Sequence, residues 1–175
     1  MRTTPIEVRL RPIAVDDSER FVAWRNSESV RSNFIFRADL SVTDQQRWVT
    51  EQVDTGKVAQ FIIEVGGERM PVGSTFIRDI DRVHRRGEFG IFIGDEAMRG
   101  KGVGTEAAKL IIEHGFRALD LNKIFLRVLA HNVGAARSYE NAGFVREGYL
   151  RQDVILDGRP TDVILMAVLR EDWDQ

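Results

Sequence analysis

Three glycines, Gly100, Gly102 and Gly104, alternate in the segment Arg99-Gly100-Lys101-Gly102-Val103-Gly104-Thr105. The segment lies between a run that reads as a strand, Arg86 to Ile93, and one that reads as a helix, with Ala107, Ala108, Leu110, Ile111 and Phe116 at helical spacing. A helix N-terminus presents backbone N–H groups without intrahelical partners and the positive end of its dipole. Glycines let an anion approach that backbone closely, and Arg99 and Lys101 add positive charge at its rim. A phosphate fits there. A Walker A loop is excluded, because no Gly, four residues, then Gly-Lys-Ser/Thr spacing occurs. Gly102, Gly104 and Ala107 do satisfy the dinucleotide variant G-x-G-x-x-A, but the next strand ends in His131 and Asn132 where a ribose-gripping carboxylate is needed. Too little chain follows to complete a doubly wound sheet.

The rest of the chain supplies a frame for that segment. Ile6, Val8 and Leu10 alternate with charged residues, the period of a half-buried strand that Pro12 ends. Asp17 or Ser18 can cap a helix holding Phe21, Val22 and Trp24, and a short helical stretch follows around Ser27 to Asn33. Thr43, with Gln46 three residues on, is expected to cap a third helix. Val58 to Val65, Met70 to Ile80 and Arg86 to Ile93 read as an antiparallel meander. Beyond the glycine-opened helix, Lys123 to Ala130 is expected to run parallel to Arg86 to Ile93, because the two are joined by a helical crossover. Val133 to Ala142 is a further helix. Phe144 to Leu156 and Arg159 to Leu169 are strands joined at Asp157-Gly158, a strong hairpin signal. The expected class is α/β, a mixed central sheet of about seven strands flanked by helices, in one domain spanning residues 1–175.

Composition narrows the function. Lys plus Arg is 25 and Asp plus Glu is 27, so no basic excess exists to hold a nucleic acid by counterion release. Cysteine is absent, which removes disulfides, thiolate metal sites and any Cys nucleophile. His84, His114 and His131 share no metal-ligand spacing, so no metal is expected. No apolar run has signal-peptide or membrane-span length, and the expected location is cytoplasmic.

Arg99-Gly100-Lys101-Gly102-Val103-Gly104 resembles the R/Q-x-x-G-x-G/A pyrophosphate signature of the GNAT N-acetyltransferases, and the run from Asn132 through Ala135 and Tyr139 to Gly143-Phe144 resembles that family's N-x-x-A-x-x-x-Y-x-x-x-G-F segment. Leu10-Arg11-Pro12 and Trp24-Arg25-Asn26 resemble its RimJ/RimL-like branch, which acetylates ribosomal proteins. The resemblance covers almost the whole chain. It implies acetyl-CoA as donor, bound by Arg99, Gly100, Lys101, Gly102, Val103, Gly104 and Thr105, by the strand backbone at Ile91, Phe92 and Ile93, and by Asn132. In the family that strand splays from the next one and bonds the pantetheine arm like an added strand, one N–H polarising the thioester carbonyl. Asn132 would look the same in sequence as a plain helix N-cap.

The implied acceptor is a primary amine. An alkyl amine with a pKa of about 10.4 is almost wholly protonated at neutral pH, so a group must take its proton. Glu88, in the strand before the glycine loop, is the candidate base, directly or through a water; its bland alternative is an exposed carboxylate paired with Arg86. Asp95 and Glu96 are weaker candidates in the turn. Tyr139 is the candidate acid for the departing thiolate, a position at which the family's tyrosine reaches the thioester sulfur; otherwise it is core packing beside Ala142 and Phe144.

Trp24, Arg25, Asn26, Phe34 and Phe36 lie in or after the first helices, which in the family line the amine site. The acceptor is expected to be a protein N-terminus such as a ribosomal protein's, or a small amine: an amino acid, an aminoglycoside, a nucleotide-linked amino sugar or a polyamine. No acidic groove is readable to favour the polyamine. Acceptor choice is expected to lie in the helical N-terminal third and the C-terminal hairpin. With no Cys to carry the acetyl group, the amine is expected to attack acetyl-CoA directly. A non-catalytic acyl-CoA-binding regulatory module is the alternative of another class, and the chain is expected as monomer or homodimer.

Overall fold

The structure is a computed structural model that describes residues 6–175. Its strands are β1 (Val8–Pro12), β2 (Ala59–Val65), β3 (Met70–Asp81), β4 (Arg86–Ile93), β5 (Lys123–Leu129), β6 (Val145–Leu156) and β7 (Arg159–Leu169). They form one seven-stranded sheet in the order β1-β2-β3-β4-β5-β7-β6. The expected class, a mixed sheet flanked by helices, is observed. β2, β3 and β4 make the antiparallel meander, and β4 pairs β5 in parallel. The hairpin between β6 and β7 turns at Asp157 and Gly158, both at positive φ, as the two-residue turn requires.

The helices divide between the two faces. α1 (Ser18–Asn26), α2 (Glu28–Arg31) and α3 (Val42–Trp48), with a π-helical extension at Val49–Val53, lie on one side, where Phe21, Val22, Val30 and Val49 pack against Ile62 of β2 and Phe92 of β4. α4 (Val103–Arg117) and α5 (Val133–Asn141) cover the other. The stripe of α4 that is buried, Val103, Ala107, Ala108, Ile111, Ile112, Gly115 and Phe116, has the period of an amphipathic helix. A short α6 (Arg170–Trp173) ends the chain's secondary structure.

Two caps differ from expectation. Ser41, not Thr43, caps α3, its hydroxyl accepting the Asp44 N–H at 3.0 Å. Neither Asp17 nor Ser18 caps α1 through its side chain. The Asp17 carboxylate is instead held by the Arg11 guanidinium at 2.9 Å and by the Ala14 N–H at 2.8 Å. Arg11 also donates to Glu64 at 2.8 Å, tying β1 and β2 to the start of α1.

The parallel pair fixes where a site can form. β4 and β5 are in register only at Arg86, Gly87 and Glu88. Beyond Glu88, β4 stays with β3 as far as Ile93, and β5 stays with β7 as far as Leu129, so the two strands diverge. The β5-facing N–H and C=O groups of β4 from Phe89 onward therefore have no strand partner.

Candidate active site

A cavity of about 930 Å³ occupies the space that the diverging strands open. Its walls come from β4, the glycine loop and α4 start, α5, and the α1–α3 side of the sheet.

At one end, Gly100 and Gly102 both have positive φ, 70° and 82°, and open space lies where a Cβ would stand. Gly102 is the N-cap of α4 with no side-chain cap, and the first α-helical bond there is the Glu106 N–H to the Gly102 C=O at 3.1 Å. The amides of Val103, Gly104 and Thr105 are therefore left for an anion. Arg99, Gly100, Gly102, Gly104 and Thr105 line the cavity. Lys101 is exposed outside its wall, and the Val103 side chain is turned into the core, leaving only its backbone for such a role. The Arg99 guanidinium braces the loop: Nε donates to the Ile93 C=O at 2.9 Å and Nη2 to Ser29 Oγ at 3.2 Å.

The side chains of Ile91, Phe92 and Ile93 pack into the cores on both faces, as expected, while all three residues line the cavity. Asn132 does cap α5, its Oδ1 accepting the Ala135 N–H at 3.3 Å, and it also borders the cavity. Ser138, a lining residue that no motif assigns a role, joins α5 to α4 through a 2.9 Å contact with Thr105 Oγ1.

Tyr139 lines this space from α5. Its ring meets Phe89 and Phe144 edge-on, at 5.6 Å and 6.0 Å between centroids. Its hydroxyl makes no hydrogen bond among the described residues, and burial pushes the phenol up to about 12. The phenol therefore stays protonated, and its position is set by packing rather than by a polar partner.

Glu88 is buried, not exposed, and its partner is not Arg86. Arg78 stands opposite it across β3 and β4 and donates to Oε2 from Nε at 3.2 Å and Nη2 at 3.1 Å. Arg127, two residues past the Glu88–Phe125 pair on β5, donates to Oε1 at 3.0 Å. Arg86 lies over the Phe125 ring instead. Both Glu88 oxygens are thus occupied, with lone-pair capacity left on Oε1. A charged residue at an alternating position in each of three neighbouring strands is the signal for this cluster, but it becomes readable only once their register is known. Asp95 accepts the Ala97 N–H at 2.9 Å and lies outside the cavity wall, as does Glu96.

Of the expected acceptor residues, Arg25, Phe34 and Phe36 line the cavity and Trp24 and Asn26 do not. The Trp24 ring lies flat on Gly94, where a Cβ would come within 2.2 Å of Cγ, so only glycine admits it. Asn26 is consumed by Leu40, donating to its C=O and accepting its N–H, both at 2.9 Å. The C-terminal hairpin does not line this cavity, whose wall on the acceptor side comes from the helical N-terminal third and from β3 to β5. Among the described residues no cluster of His, Cys, Asp or Glu could hold a metal ion, and no helix is long and apolar enough to cross a membrane.

A sheet split beside a glycine-capped helix, with an unbonded tyrosine between, defines an acyltransferase class of site. Residues 7–145 match the acetyltransferase (GNAT) domain family, and the chain belongs to that family. It is 30% identical over 166 residues to spermidine N(1)-acetyltransferase of Escherichia coli K12, covering 95% of this chain and 88% of that protein. It is 29% identical over 175 residues to the probable N-acetyltransferase YjcK of Bacillus subtilis, covering 96% and 97%. The structure of spermidine N-acetyltransferase from Vibrio cholerae in complex with CoA and spermine superposes with a TM-score of 0.89 at 25% identity, covering 96% of this chain and 98% of that one. The chain is an acetyl-CoA-dependent N-acetyltransferase.

Proposed function

We propose that the protein transfers the acetyl group of acetyl-CoA directly to a primary amine that enters the cavity from the α1–α3 side. The observation that carries this reading is the divergence of β4 and β5 after Glu88, which leaves a backbone edge of β4 unpaired along a cavity that Tyr139 also lines. A pantetheine arm supplies the missing strand, and the amides of Val103, Gly104 and Thr105 with the open Gly100 and Gly102 receive its diphosphate. An N–H of the β4 edge stabilises charge on the thioester oxygen.

The acceptor arrives as an ammonium and gives up two protons: the first goes to the base, and as the N–C bond forms and the C–S bond breaks the second leaves nitrogen while one is delivered to sulfur. Tyr139 donates to the departing thiolate. A phenol near 12 facing a thiol near 8.5 acts mainly through the hydrogen bond, and the Tyr139 proton, if passed on, is replaced by the one the amine loses. Glu88 receives the amine proton through a water on the free side of Oε1, while Arg78 and Arg127 hold its carboxylate still. Asn132 lies along the arm. We also place the protein in the cytoplasm, where acetyl-CoA is made and used.

The reading is tested by incubating the purified protein with acetyl-CoA and a panel of amines while following thiol release. At least one amine is expected to release thiol at a rate that saturates in both substrates and to gain an acetyl mass. Saturable CoA binding with no thiol release from any amine would leave a binding module instead.

A further inference from the structure

We propose that the acceptor end of the cavity is an anion subsite centred on Arg25, so that the amine acetylated here belongs to a molecule that also carries a carboxylate or a phosphate. This rests on the transferase reading above and adds the substrate class.

Arg25 is 6% exposed, yet no carboxylate lies within 4.0 Å of its guanidinium among the described residues. Nη2 donates to the Phe36 C=O, and Cζ stands 3.8 Å from the Phe34 ring centroid. Nη1 is fully buried with no acceptor. Gln45, 5% exposed on α3, likewise has its Nε2 buried without a partner. Both residues line the same cavity. Buried donors without acceptors are costly, and each calls for a partner such as a ligand, an ion or an ordered water; of the three such groups among the described residues, these two share one cavity and Ser18 Oγ lies outside it.

The surrounding charge has the same sign. Arg78 and Arg127 share the carboxylate of Glu88, and Arg78 also meets Asp79 at 3.6 Å, but Asp79 is exposed and outside the cavity wall, so the charge that faces the cavity from this group is net positive. Asp44, the other acid in the wall, is an exposed residue bonded to Ser41 Oγ at 2.7 Å. Burial and the nearby Arg78 and Arg31 lower Arg25 to about 10, so an anion brought here relieves an unfavourable charge. A polycation would add to it. A guanidinium matches carboxylate and phosphate oxygens in its planar fork, and Phe34 and Phe36 in the same wall offer apolar surface to the body of such a molecule. A purely structural Arg25 would account for the bond to Phe36 and the stacking on Phe34. It would not account for the idle Nη1 or for Gln45.

Two measurements test this. Inorganic phosphate and acetate are titrated calorimetrically into the protein saturated with CoA, so that the glycine loop is already filled. Phosphate, acetate or both are expected to bind saturably, with affinity reduced about tenfold or more in Arg25→Gln and partly kept in Arg25→Lys. In the second, kcat/KM is compared within matched pairs: amino acids against their carboxamides, glucosamine 6-phosphate against glucosamine, and spermidine as polycation. The anionic member of at least one pair is expected to lead by about tenfold or more, and which pair leads separates carboxylate from phosphate. Absence of anion binding to the CoA complex, or equal turnover within the pairs with spermidine as good as any, overturns the subsite while leaving the transferase intact. Arg25-dependent anion binding with no amine turned over has the reverse meaning. If Arg25→Gln does not fold, Gln45→Leu and the wild-type pairs decide by the same criteria.

Discussion

The Tyr139 ring stands at 86° to the Phe89 ring with 5.6 Å between centroids, so a residue of α5 is aimed by the β4 residue immediately after the strands part. The hydroxyl carries no hydrogen bond among the described residues, and Tyr139→Phe therefore orphans nothing. Its stability is expected to stay within about 0.5 kcal/mol of wild type. If the phenol serves the leaving thiolate, kcat falls about 100-fold with little change in KM for acetyl-CoA. Thermal melting and steady-state thiol release check both halves. Equal turnover would remove Tyr139 from the chemistry.

Glu88 has two jobs that one substitution confounds. Glu88→Gln removes the charge that holds Arg78 and Arg127 together. Breaking a well-buried pair costs about 3–5 kcal/mol, and because both arginines are about one-third exposed, screening brings the expected loss to about 1–3 kcal/mol. Arg127→Gln added to Glu88→Gln is expected to recover part of that stability by removing one of the two facing cations. It is not expected to recover rate, provided Glu88 takes the amine proton. Denaturant melts and kcat/KM on the single and double variants separate the roles; a double variant that regains full rate makes Glu88 a structural counter-ion.

Much of the site was legible in the chain because it depends on local geometry. The alternating glycines before an amphipathic helix, the Asn132 cap and the Asp157-Gly158 turn are contained within a few residues each, and the structure has them where expected. The parallel crossover followed from a strand, helix, strand order. What stayed hidden depends on register and distance in sequence. Arg78 and Arg127 reach Glu88 only because β3 and β5 flank β4 at particular offsets, and nothing in the run KIFLRVL announces the partner of its arginine. Trp24 reads as an acceptor contact because the family's first helices line the amine site, but its ring packs on Gly94, seventy positions away, and does not line the cavity. Lys101 reads as positive charge at the rim of the loop, and the structure has it exposed there, outside the cavity wall.

Gly102→Ala tests the glycine loop with little disturbance of packing. No atom lies within 4 Å of the place where its Cβ would stand, but φ is 82°, so the cost is conformational and about 1–2 kcal/mol. The new methyl also occupies the space assigned to the diphosphate. KM for acetyl-CoA is expected to rise several-fold with KM for the amine nearly unchanged. Initial rates with each substrate varied in turn check this, and a selective rise for the amine would place the two ends of the cavity the other way round.

His114 gives the fold a pH dependence of known sign. It lies on α4 with its ring edge-on to Phe61, 4.9 Å between centroids, and burial lowers its pKa below the ordinary value of about 6.5. The unfolded chain therefore takes the proton first as pH falls. Stability attributable to neutral His114 is fully present above pH 6.5 and is lost as pH drops through that value toward the lower pKa of the folded state. Asp81, held down chiefly by the His84 N–H, contributes only at more acidic pH, as an Asp titrates near 3.9 when unfolded. Between pH 7.5 and 5 the wild type is thus expected to lose more melting temperature than His114→Gln does, the two curves converging toward the acidic end. Parallel curves across that window would mean that His114 protonates equally in both states and that its packing against Phe61 carries no charge penalty.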